Sequence, residues 1–210
     1  FTKSKFPEII KNIALIYMQN GDNDKALEAL AVARAGDPNS STLIISEANV
    51  YFKMGNMDKF RELLTLAAQN DPENPPVLLN LGLAYRDIGE NDTAKDYFER
   101  VIKLNPKLTT AHVEIANLII TSANEMGDKM NVLDDKIFYG KASRAEKKQF
   151  DEFKVKRNEL LMEATKSLEN SLVGDPDNVE YHKLLYQIFS KLGIEDKEEF
   201  HQAKYKSLIE

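Results

Sequence analysis

The sequence predicts an all-α solenoid of about five helical hairpins, and three columns of residues predict it. Pro38, Pro72 and Pro106 stand 34 residues apart, as do Gly21, Gly55 and Gly89, and as do Tyr17, Tyr51 and Tyr85. Self-similarity at one fixed period marks a repeat array in which each unit shares its core with its neighbours. A chain of 210 residues has room for such an array as a single domain over 1–210. Its units fall at about 7–40, 41–74, 75–108, 109–178 and 179–210, with a helical insertion at about 124–158 inside the fourth.

The third unit, PPVLLNLGLAYRDIGENDTAKDYFERVIKLNP (75–106), shows how each hairpin is built. Pro75 suits a first helical position behind Asn74 as cap. Leu78, Leu81, Gly82 and Tyr85 recur at helical spacing on one face. Gly89 ends the helix as a left-handed stop, and Asn91 or Asp92 caps the next. Ala94, Phe98 and Val101 form the second stripe, which Pro106 cannot continue. One hairpin alone leaves its apolar face open, so stability must come from stacking neighbours.

The columns explain the stacking. A small residue recurs in the first helix as Ala14, Ala48, Gly82 and Ala116, and in the second as Ala26, Ala94 and Ala164. Small side chains let helix backbones approach, while Leu30, Leu64, Phe98 and Leu168 fill the volume between them. These units resemble the tetratricopeptide repeat family, and NLGLAYRDIGENDTAKDYFERVIKLNP is close to its consensus. The first two units match well, with Phe60 where the family usually has Ala. The fourth matches in two separated halves, and the fifth diverges, with bulky Tyr186 in the small column, as a terminal cap would.

The resemblance implies a right-handed α-α superhelix whose first helices line a concave groove for an extended peptide or partner helix. Off the stacking stripe, the residues implied to face that groove are Ile45, Asn49, Phe52, Leu79, Asn80, Leu83, Arg86, Val113, Asn117 and Ile120. An apolar floor with a few amides suits an extended peptide, because Asn can pair with its backbone while Phe and Leu bury its side chains. The bland alternative is packing between adjacent helices. Asn49 and Asn80 have the spacing of the family's carboxylate clamp, which holds the C-terminal tails of heat-shock chaperones. The clamp's cations, however, are replaced here by Ile45, Thr110 and Glu114, so its charge-assisted bonds are lost and that specialised function is rejected.

The fourth unit breaks the period. Its closing proline is expected at 140 and stands at Pro176, a surplus of 176 − 140 = 36 residues. Ala164 and Leu168 still match the second-helix columns, so the surplus lies between the two helices and lengthens both. The first continues its stripe through Ile119, Ala123, Met126 and Met130, with Gly127 tolerated at a cost of ~1 kcal/mol. Ser143 with Glu146 forms a capping box that starts the second, whose stripe runs through Phe150, Phe153, Leu160, Leu161, Ala164 and Leu168. The connecting tip is expected at 131–143. Its Ile137, Phe138 and Tyr139 either fold back onto the hairpin or form a second docking surface. Residues 141–157 hold seven Lys or Arg against three Asp or Glu, so a basic arm (+4) extends from a body of −10. Such an arm could steer an acidic partner or simply be a solvated helix face.

Composition excludes several classes. A net charge of −6 gives no footprint for nucleic acid, and the absence of Cys removes disulfides and thiolate ligands. No apolar run reaches the ~20 residues of a membrane span. A start at Phe1 rather than Met suggests a processed or excised piece, so a missing signal peptide carries little weight. His112 and His182 share one column and read as core packing. Glu198 and His201, at helical i, i+3 spacing, lack the second pair a metal site needs. The acidic stretches at 20–24 and 132–136 lack the Gly and distal Glu of a calcium loop, and helix capping accounts for the first.

The expected function is therefore a non-catalytic scaffold for protein–protein interaction, with no cofactor and no metal. The partner would be a protein or peptide, with self-association as a further possibility. The alternative is a regulatory or sensor repeat domain of a larger, enzyme-containing protein. The inserted arm is also similar to that of tetratricopeptide proteins of Bacteroidota-type bacteria. This looser resemblance implies a bacterial protein often exported to the cell envelope, and so favours the periplasm over the cytoplasm.

Overall fold

The computed structural model describes residues 6–210 and, among them, ten α-helices and no strand. In chain order these are α1 (Phe6–Gln19), α2 (Asn23–Gly36), α3 (Ser41–Lys53), α4 (Met57–Asn70), α5 (Pro75–Asp87), α6 (Asn91–Leu104), α7 (Thr109–Phe138), α8 (Arg144–Ser171), α9 (Val179–Leu192) and α10 (Glu195–Ile209). They pair as consecutive hairpins, the all-α repeat class that the period of 34 predicts. The chain divides into two compact units between Arg100 and Val101, inside α6.

In the first unit, turn chemistry follows the sequence closely. Asn74 Oδ1 accepts from Val77 N–H behind Pro75, and Asn56 Oδ1 accepts from Lys59 N–H. Gly21, Gly55 and Gly89 each take the positive φ that stops a first helix. Two expected caps are corrected. Asn91 lies inside α6, whose first turn closes from Ala94 N–H to the Glu90 carbonyl, so neither Asn91 nor Asp92 is the cap. Asp22 does occupy the cap position of α2, but its carboxylate makes no capping bond and instead pairs with Lys25 at 3.3 Å.

The columns of small residues pack as their size requires. Ile44, Ala48, Leu64, Val77 and Leu81 join α3, α4 and α5 in one core, all fully buried. Each large side chain so buried contributes about 1.5–3 kcal/mol relative to exposure. Phe60, which replaces the usual Ala, is buried in the same core. Polar ties cross between hairpins: Arg34 on α2 pairs with Glu47 on α3, and Lys53 Nζ donates to the Met18 carbonyl of α1.

The second unit is dominated by the long hairpin of α7 and α8, of 30 and 28 residues, or about 45 and 42 Å at 1.5 Å per residue. Its base joins α9 around Ala116, Ala123, Leu161, Leu168, Leu185 and Phe189. Along the arm, Ile119, Met130 and Leu133 are buried on α7, while Phe150 and Phe153 of α8 are half-buried. The capping box forms as its sequence predicts: Ser143 Oγ accepts from Glu146 N–H, and Glu146 Oε2 accepts from Ser143 N–H at 2.8 Å. The connecting tip is shorter than expected. Nothing between Gly127 and Gly140 breaks a helix, so α7 continues to Phe138 and only residues 139–143 connect it to α8.

Candidate partner-binding surfaces

The residues expected to line a groove recur at helical spacing on α3 and α5 of the first unit and on α7 of the second. Ile45, Asn49 and Phe52 follow i, i+4, i+7 spacing on α3, and Leu79, Leu83 and Arg86 follow i, i+4, i+7 spacing on α5 with Asn80 beside them. Val113, Asn117 and Ile120 repeat the first pattern on α7, in the second unit.

Within the first unit the two rows differ in character. Ile45 packs against the core. Phe52 is 54% exposed, with its ring 5.1 Å from that of Phe60, so the bulky replacement in the small column supports an aromatic at the surface. Leu79 and Leu83 are half-buried, as are Asn49 and Asn80, whose side-chain amides are engaged by no other protein group among the described residues. Arg86 is turned toward Asp87, at 2.7 Å. In the second unit Asn117 is exposed, Val113 is half-buried and Ile120 packs against the core of the long hairpin.

At the tip of the arm the two alternatives separate by residue. Ile137 is half-buried, whereas Phe138 is 81% and Tyr139 67% exposed, their rings edge to face at 5.2 Å. Phe138 and Tyr139 therefore do not fold back onto the hairpin. Beneath them, Lys136 Nζ lies 2.7 Å from Glu146 Oε1. That bond, with those from Ser143, holds the Glu146 carboxyl down at about 2.

The histidines belong to the interior. His112 and His182 are buried, and each places Nε2 at a proline carbonyl, Pro106 at 3.0 Å and Pro176 at 2.9 Å. Their repeated column thus ties a helix start to the preceding turn. His201 is buried too, and it meets His182, Nδ1 to Nδ1 at 2.9 Å. Burial, then the adjacent His182, lowers its pKa to about 4. The sequence contained no local sign of this pair, because its partners stand on separate helices. Among the described residues no group of three or more His, Asp or Glu converges as metal ligands would.

Comparison with known proteins finds the same repeat. Residues 17–76 and 75–108 match tetratricopeptide repeat families. No curated relative matches the chain. Among solved structures it is similar to the crystal structure of MamA protein, at 16% identity and a TM-score of 0.68 over 97% of this chain and 92% of that one. It is also similar to YrrB, described as a TPR protein with an unusual peptide-binding site, at 16% identity and a TM-score of 0.60 over 95% and 84%. The first TPR of Spaghetti (RPAP3), bound to the HSP90 peptide SRMEEVD, aligns with 55% of this chain and 92% of that one, at 22% identity and a TM-score of 0.50. At these identities the likeness is one of fold.

Proposed function

This chain belongs to the tetratricopeptide repeat family, and on that premise we propose that it is a non-catalytic scaffold that binds an extended segment of a partner protein. The observation that carries the reading is the pair of half-buried amides, Asn49 on α3 and Asn80 on α5, among Phe52, Leu79 and Leu83. An amide presents both donors and an acceptor, so two amides on successive first helices match the backbone of an extended peptide. Apolar neighbours supply the burial that such binding needs.

The tip of the arm is the second surface in this reading. Phe138 and Tyr139 form an exposed aromatic pair at the end of a long hairpin, and aromatic side chains carry much of the energy of protein interfaces. Peptides selected from a displayed library against the intact chain would test both surfaces. Loss of binding in Asn49→Ala with Asn80→Ala supports the groove, and loss in Phe138→Ser with Tyr139→Ser supports the tip. Peptides that bind both double variants as well as the intact chain would overturn the reading.

A further inference from the structure

The base of the arm holds a polar cleft that neither surface above includes. It lies within the second unit, where α7 and α8 leave the regular repeat beside the end of α9, and its volume is about 460 Å³. That is within the range of sites for small ligands and peptide segments. Ala123 and Leu161 supply apolar floor. Around them stand Asn124, Gly127, Asp128 and Asn131 from α7, Arg157 from α8 and Lys191 from α9.

We infer that this cleft binds an acidic segment of an extended peptide, with Arg157 and Lys191 taking the carboxylate and Asn124 and Asn131 taking its backbone. Three observations carry the inference. The first is Gly127. A glycine inside a helix costs stability relative to Ala, so its presence needs a reason. At Gly82 that reason is visible, because a Cβ would strike the Phe98 ring. At Gly127 a Cβ would meet nothing within 4 Å, so packing does not require glycine there. Gly127 lines the cleft, so the space it leaves open adjoins it.

The second observation is charge. Two cations, Arg157 and Lys191, and one carboxylate, Asp128, line the cleft. Among the described residues Arg157 reaches only the neutral amide of Asn158, through Nε at 3.4 Å and Nη2 at 3.2 Å. The ammonium of Lys191 joins no ion pair among the described residues. Nor is it needed to cap α9, because the Phe189 and Ser190 carbonyls already accept from Gly193 and Ile194 N–H. The cleft therefore carries unspent positive charge suited to a carboxylate.

The third is spacing. Asn124 and Asn131 are seven residues apart on one helix, two turns or about 10.5 Å along its axis. That interval brackets a short extended stretch, and each amide can both donate to and accept from its backbone. Asp128, between them, accepts from an N–H of the same segment. A free dicarboxylate shares the charge but offers no backbone for these three groups to read.

The experiment is a titration of the full ¹⁵N-labelled chain with acetyl-Gly-Glu-Gly-amide, with its Gln counterpart and with glutarate. The expected result is a saturable shift of the Gly127 backbone signal and the Asn124 and Asn131 side-chain amides with the Glu peptide. Glutarate should bind more weakly and the Gln peptide should leave these signals unmoved. Arg157→Gln with Lys191→Gln should abolish the response. Gly127→Ala should raise thermal stability while weakening the peptide at least about tenfold, a split that general destabilisation cannot produce. The inference is overturned by an absent or Glu-independent response at these signals, or by unchanged affinity in Gly127→Ala. Glutarate binding as tightly as the peptide would overturn the assignment to a peptide.

Discussion

The ring of Phe98 on α6 occupies the place where a side chain on Gly82 of α5 would begin, with Cε1 against the Cβ position and Cδ1 2.7 Å from it. Phe98 is fully buried, so its ring has nowhere to swing. Gly82→Ala should therefore destabilise the protein by about 1–3 kcal/mol through overpacking. Against this stands the ~1 kcal/mol that Ala gains as a helix former, so the net loss should be up to about 2 kcal/mol. Urea denaturation reads the difference. Adding Phe98→Leu should make the double variant less unstable than the two single losses predict, because the contact that strains one residue is removed with the other.

The capping box at the start of α8 yields a second prediction. Ser143→Ala removes the acceptor of Glu146 N–H and should cost about 1 kcal/mol of local helix stability, read as faster amide exchange in the first turn of α8. The Glu146 carboxyl, held at about 2 against its ordinary 4.5 chiefly by Lys136 and then by Ser143, has a pH consequence. The charged form is favoured in the folded state, so the stabilisation is complete above about 4.5 and fades as pH falls toward 2. Lys136→Met should move the Glu146 titration upward, as carboxyl NMR would register.

The parts of this structure that could be read from sequence are those set by local chemistry or by the repeat. Asn74, Ser143 and Gly89 act through bonds and torsions within a few residues, so each appears where its neighbours in sequence place it. Ala48 and Gly82 were legible because one packing problem recurs in successive units. The end of α7 was not, because a mixed polar and apolar run without a breaker is compatible with helix or loop until α8 packs beside it. The cleft around Gly127 was equally hidden. It needs three helices to define it, and Arg157 and Lys191 are ordinary surface cations until they face it.

Exposure at the tip predicts which apolar residues of the arm matter for folding. Phe138 and Tyr139 are mostly exposed and contact chiefly each other, so Phe138→Ser with Tyr139→Ser should shift stability by no more than about 0.5 kcal/mol. Leu133, five residues before Phe138 and buried, should lose about 2–5 kcal/mol on change to Ala. Comparing the two variants by thermal denaturation separates a surface kept for contact from one kept for packing. Equal losses would mean that the tip is part of the core.

The His182–His201 pair fixes two tautomers and a pH response. A carbonyl can only accept, so the 2.9 Å contact to Pro176 O requires Nε2–H on His182, which when neutral leaves its Nδ1 an acceptor. His201 must then carry its proton on Nδ1 and donate it across the 2.9 Å between the rings. Ring ¹⁵N shifts should report the Nε2–H form for His182 and the Nδ1–H form for His201. Burial, then His182, lowers His201 to about 4 from an ordinary 6.5. Between those values the unfolded chain takes up a proton that the folded chain refuses. Stability is thus undiminished above 6.5, falls as pH drops toward 4, and levels off below that. The loss should be concentrated in α9 and α10, and hydrogen exchange at pH 7 and pH 5 would locate it there. In His201→Gln, which cannot titrate, the two exchange profiles should differ much less. A variant that retained the full acid sensitivity of the parent chain would assign the response to another group.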